Sequence, residues 1–163
     1  MWYQVASFSR RDSINMPSEI IAIASDHAGF ELKTLLKKEL EDLDYAVLDL
    51  GPDSAASVDY PDFAYSLASA LGDGRAARGV LICGSGIGIS IAANRYPHIR
   101  AALVHDALTA RLSREHNDAN VLCLGGRTTG PDVARDCLRI FLTTGFDGGE
   151  RHARRVGKLS CPV

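Results

Sequence analysis

Apolar runs of about five residues alternate with stretches in which apolar side chains recur every three or four positions, and the alternation continues from Ile20 to Leu142. The runs predict buried strands over Ile20–Ser25, Tyr45–Leu50, Gly79–Cys83, Arg100–His105 and Val121–Gly125. Leu32, Leu35, Leu36, Leu40 and Leu43 fall at helical spacing among Lys and Glu. Further helices are predicted from Pro61 and over Ile87–Arg95, Ala107–His116 and Pro131–Thr143. Strand and helix in strict turn predict an α/β fold, a three-layer doubly wound sandwich around a five-stranded parallel sheet.

A sheet of this kind commonly has the flavodoxin-like order 2-1-3-4-5, which is the order expected here. Ligands then sit beyond the carboxyl ends of strands 1 and 3, where the winding reverses. Those ends carry Ser25-Asp26-His27 and Cys83-Gly84-Ser85. From Phe146 to Lys158 the chain has no strand of its own to pack under, so this basic stretch is read as a C-terminal tail helix that docks on a second subunit.

Composition narrows the partners. Of 163 residues, 46% are hydrophobic and 23% charged, enough for one domain to bury a core without disulfides or metal. Residues 19–159 are read as that single domain. Residues 1–18 are read as a disordered N-terminal extension, a weak organelle-targeting signal being the other reading. A formal charge of −2 supplies no broad basic field for nucleic acid. No apolar run approaches the roughly 18 residues that span a bilayer. The expected partner is a small anionic molecule held by a local cluster of donors, with no nucleic acid and no membrane, and the expected location is cytoplasmic. Cys83, Cys123, Cys137 and Cys161 form no C-x-x-C pair and no metal-ligand spacing with histidine. Reduced thiols, no metal and no cofactor are expected.

Candidate chemistry concentrates after the third strand. The stretch Cys83-Gly84-Ser85-Gly86-Ile87-Gly88 leaves a strand and opens a helix, so its N–H groups can converge on an anion with little side-chain obstruction. A plainer reading is a tight turn that needs glycine's dihedrals. Dinucleotide binding is a third, supported by Asp106 twenty residues after Gly86. Against it, Ile89 replaces the last fingerprint glycine and the loop is not on the first strand. Cys83 stands where a helix start favours a thiolate, as base or nucleophile, or else is inert packing. Cys123 and Cys137 read as packing. Asp26 and His27 read as N-cap and first-turn residue, or as site residues at the switch point. His116-Asn117-Asp118 reads as a helix end, and His105-Asp106 as a strand end and N-cap. Arg127, Arg151, Arg154 and Arg155 suit bidentate phosphate binding or plain solvation.

Taken in order, Ser25 to Phe30, Asp59-Tyr60-Pro61, Leu81 to Asn94, Leu112 to Asn120 and Gly148 to Val156 resemble the type B ribose-5-phosphate isomerase family, which also includes galactose- and allose-6-phosphate isomerases. The resemblance implies a metal-independent aldose-ketose isomerase of the pentose phosphate pathway, passing from ribose 5-phosphate through ring opening and a cis-enediolate to ribulose 5-phosphate. A six-carbon sugar phosphate is the alternative substrate, and a non-catalytic sugar-phosphate or nucleotide-binding module a more distant alternative. By this resemblance Cys83 matches the catalytic base and His116 the ring-opening acid/base. Asp26 assists at the sugar, Asn117 binds it, and Ser85 keeps the hydroxyl that some members supply as Thr. Gly84, Ser85, Gly86, Ile87 and Gly88 match the loop that holds the enediolate. His27, Arg127, Arg151 and Arg155 match positions that bind the substrate or its phosphate. Some members place a glutamate base shortly after the loop; here that region reads Ile89-Ser90-Ile91, leaving Cys83 as the candidate. Whether Tyr60 or Arg154 touches substrate stays open.

The helix ending at His116 adds a geometric expectation. Ten helical residues carry it roughly 15 Å back from the carboxyl end of its strand, away from Cys83. A homodimer or dimer of dimers with sites shared between subunits reconciles the two positions.

Overall fold

The structure, a computed structural model, describes residues 19–161. The extension expected over residues 1–18 lies outside the described residues. The elements are β1 (Ile20–Ser25), α1 (Phe30–Asp42), β2 (Ala46–Asp49), α2 (Tyr60–Gly72), β3 (Arg78–Cys83), α3 (Ile87–Ala93), β4 (Ala101–Leu103), α4 (Ala107–Asn117), β5 (Val121–Gly125), α5 (Pro131–Thr143) and α6 (Glu150–Leu159). All four strand pairings are parallel, as the unbroken apolar runs of β1, β3 and β5 predict for strands covered on both faces.

The strand order is β2-β1-β3-β5-β4, which corrects the expected 2-1-3-4-5. The reason lies in how apolar the last two strands are. β5 is buried at every position, whereas β4 is three half-buried residues fit for an edge. The Asn94 side-chain amide serves that edge, donating to the Ala101 carbonyl at 2.9 Å and accepting from the Ala101 N–H at 2.8 Å.

The exchange also decides which helices share a face. Right-handed crossovers put α3 beside α2 as the chain moves outward to β4, and α4 beside α5 as it turns back to β5. Two cores result. Leu32, Leu36, Leu40, Ala110, Leu138 and Phe141 pack on one face of the sheet, and Ala64, Leu67, Ile89 and Ala92 on the other. The reversal between β1 and β3 survives the exchange, so their carboxyl ends still meet at the expected crevice.

Several boundaries differ from expectation: β2 is one residue shorter at each end, and β3 and α4 each gain one residue. α2 opens at Tyr60 with Pro61 in its first turn, α3 stops at Ala93, and β4 spans only Ala101–Leu103. The tail helix is present as α6, but its buried residue, His152, packs on the end of this chain's own α4. As expected, no strand follows α5 among the described residues, and the tail's support within this chain comes from α4. Among the described residues no helix is long and apolar enough to cross a membrane.

Candidate active site

The cleft is built where β1, β3 and β5 end together. The Gly126 N–H donates to the Cys83 carbonyl at 2.8 Å and the Arg127 N–H to the Gly84 carbonyl at 2.9 Å, tying the exit of β5 to the exit of β3. Arg127 thereby lies across Gly84, where an added Cβ would stand 3.5 Å from its Nη1. Cys83 is 4% exposed, and its Sγ accepts the Gly86 N–H at 3.1 Å. Gly86 makes this possible with φ of 78°, and a Cβ there would meet the Leu124 carbonyl carbon at 2.9 Å, so only glycine fits. With seven residues, α3 has little macrodipole; the positive field at the sulfur comes from this directed N–H.

Asp26 and His27 approach from β1. The buried Asp26 carboxylate takes the Gly29 N–H at 3.0 Å, capping a 3₁₀ turn over His27–Gly29, so the N-cap reading holds alongside its place in the cleft. His27 Nδ1 lies 3.3 Å from both the carbonyl oxygen and the nitrogen of Val58, in the loop that leads to α2. Just beyond, the Tyr60 ring covers Gly88 so closely that a Cβ there would sit 2.6 Å from Cζ. Asp26, His27, Cys83, Gly84, Ser85, Gly88 and Arg127 thus line one cleft of about 350 Å³, joined by Tyr60 and Thr128. Gly86 and Ile87 shape its turn. Thr128 is not among the residues expected from sequence; its signal is the polar run after Gly126, which points at Cys83 only once β5 is known to adjoin β3.

The remaining expected residues lie elsewhere in the chain. His116 and Asn117 close α4, eleven residues and about 16 Å along from the carboxyl side of the sheet. His116 borders a separate hollow of about 460 Å³ with Thr144, Phe146 and Asp147. Asn117 borders another with Arg100. Arg151 and Arg155 are exposed on α6. Sequence reasoning does not single out His152, whose imidazole is stacked on His116 and lies 3.8 Å from Asp147 Oδ2 and 3.4 Å from Arg151 Nη2.

The alternatives fare worse. The Asp106 carboxylate is bound by the Thr109 N–H at 2.7 Å in a capping box, which holds it below the usual carboxylate range and occupies the group a ribose would need. Burial pushes the Cys123 thiol up and that of Cys137 to about 11, as suits packing residues. Among the described residues no three His, Cys, Asp or Glu side chains gather as a metal cluster.

The chain is similar to known proteins over most of its length. The ribose/galactose isomerase family model matches residues 21–159. Ribose-5-phosphate isomerase B of Escherichia coli is 42% identical over 140 residues, 86% of this chain and 93% of that protein. The solved structure of Clostridium thermocellum ribose-5-phosphate isomerase B superposes with a TM-score of 0.85 at 50% identity, covering 86% of this chain and 95% of that one. The Thermotoga maritima ribose 5-phosphate isomerase superposes with a TM-score of 0.85 at 49% identity, covering 87% and 97%.

Proposed function

The chain belongs to the ribose/galactose isomerase family and is an isomerase enzyme, and on that premise we propose that it interconverts ribose 5-phosphate and ribulose 5-phosphate, with Cys83 as the base. The observation that carries the assignment of the base is the Gly86 N–H aimed at the Cys83 sulfur from 3.1 Å, inside a cleft that Arg127 borders. A directed N–H stabilises a thiolate more than a thiol, because a charged acceptor makes the stronger hydrogen bond.

The chemistry begins with the closed sugar. His116 gives a proton to the ring oxygen and takes up the proton that the anomeric hydroxyl loses, giving the open-chain aldehyde; histidine suits a step that needs both proton donor and acceptor. The Cys83 thiolate then takes the proton on C2. The electron pair left behind forms the C1–C2 double bond, and the carbonyl electrons pass to O1. With the Gly86 N–H given to the Cys83 sulfur and the Ile87 N–H to Ser85 Oγ, the other N–H groups between Gly84 and Gly88 face the enediolate oxygens, and because base and donors come from one turn their relative position is fixed in advance. A proton moves from O2 to O1, the Cys83 thiol returns its proton to C1, and the ketose results. Asp26, Ser85 and His27 hold the sugar hydroxyls, and Arg127, Arg151 and Arg155 supply cationic donors for phosphate.

In this reading a complete site takes Cys83 and its cleft from one copy, and His116, Asn117, Arg151 and Arg155 from the end of α4 and from α6 of a second. A two-fold dimer forms two such sites. An assay comparing ribose 5-phosphate, allose 6-phosphate and galactose 6-phosphate tests the substrate. Highest kcat/KM on ribose 5-phosphate is expected; a preference for either six-carbon sugar reassigns it, and no turnover of any overturns the reading.

A further inference from the structure

One charged cluster outside the cleft is not accounted for by the reaction. Lys33, on α1 one turn beyond the His27–Gly29 turn, has a side chain only 3% exposed. Its ammonium donates to Asp49 Oδ1 at 2.7 Å and to the Pro52 carbonyl at 2.9 Å. A buried ammonium needs such partners, because desolvation penalises it unless the lost water is replaced. Asp49 ends β2 and accepts the Gly51 N–H at 3.0 Å on the same oxygen, while Lys37 donates to its other oxygen at 3.1 Å. The Gly51 carbonyl in turn accepts the Ser25 N–H at 3.0 Å, next to Asp26.

These contacts pin the start of one loop. Between Pro52 and Val58 the chain runs over the surface, its residues 53–57 exposed. It is caught again where His27 Nδ1 meets Val58 and where the Tyr60 ring covers Gly88. The loop therefore hangs between a half-buried ion pair and the cleft, and its far end supplies part of the cleft's wall.

We infer that Lys33 is a positioning residue that, through Asp49 and the Pro52 carbonyl, sets where Val58 and Tyr60 stand over the cleft and so how deep a sugar it admits. The inference rests on the aldose-ketose reading above. Lys33 is not itself on the cleft, so it acts on substrate fit and not on proton transfer.

The test measures kcat and KM of wild type, Lys33→Met, Tyr60→Ala and the double variant on ribose 5-phosphate and allose 6-phosphate. Lys33→Met leaves Asp49 its Lys37 partner while freeing Pro52. It is expected to raise KM for ribose 5-phosphate about tenfold, keep kcat within about threefold, and narrow the ratio of kcat/KM between the two sugars. In the Tyr60→Ala background the same change should alter KM less than about twofold, because the wall it positions is gone. Unchanged KM, equal losses in kcat and kcat/KM, or simple additivity of the two substitutions overturns the inference. Lys33→Gln, which keeps a neutral donor, carries the same criteria if Lys33→Met does not fold. Wild-type enzyme inactive on both sugars would instead overturn the isomerase reading, and this inference with it.

Discussion

The imidazoles of His116 and His152 lie face to face, ring centres 4.4 Å apart and planes 7° from parallel, at the end of α4 remote from the cleft. His152 is buried and His116 exposed, so one ring fixes the plane of the other while leaving its edge open to a ligand. His116→Ala is expected to slow the cyclic sugar at least about a hundredfold and an open-chain analogue much less, since general acid–base steps contribute on that order. Equal losses on both substrates would remove His116 from ring opening.

Cys83→Ala removes the base and leaves Arg127 across Gly84 untouched. Turnover should fall by about a thousandfold or more while ribose 5-phosphate still binds, measured by calorimetry against wild type. Retention of more than about a tenth of wild-type kcat would take Cys83 out of the mechanism.

Two glycines of one turn separate fold from function. Gly88→Ala meets first the side-chain ring of Tyr60, a residue 40% exposed, and not backbone, so the protein should fold with near wild-type melting but lose about tenfold or more in kcat/KM. Gly86→Ala meets the Leu124 backbone at positive φ, and should lower the melting temperature itself. The reverse pattern, with Gly88→Ala the less stable of the two, would misplace Tyr60.

Much of this architecture is legible in the order of the amino acids alone. β1, β5 and α5 run between the residues expected, because unbroken apolar runs and a helix opened by Pro131 mark their own ends. The loop from Cys83 to Gly88 is legible too, since three glycines between a strand and a helix have few other uses. The position of β5 is not. Nothing local in Val121–Gly125 says which strand it adjoins; that depends on how weakly Ala101–Leu103 can fill an interior place. Thr128 is hidden for the same reason, and so is the support His152 gives His116, because it joins two residues 36 positions apart in sequence.

The Asp49 cluster predicts an acid response. Burial pushes this carboxyl up, but hydrogen bonds from Lys33, the Gly51 N–H and Lys37, with the Lys33 charge, outweigh it, so its pKa sits below the ordinary 3.8. A depressed folded-state value gives stability that is present above 3.8 and is lost as pH falls through the lower folded value. Urea unfolding between about pH 2 and 6 should therefore show a shallower acid loss in Asp49→Asn than in wild type. Parallel profiles would mean that the pair does not contribute to acid stability.

In the proposed mechanism Cys83 and His116 meet only across two copies of the chain. Cys83→Ala and His116→Ala proteins, each inactive alone, are unfolded together and refolded as a mixture, and the mixed dimers isolated by differential tags. Each mixed dimer then holds one site with both residues intact and one with neither, so activity near half that of wild-type dimer is predicted. Mixed dimers verified by mass spectrometry that stay as inactive as their parents would place the whole site within one chain and contradict the account.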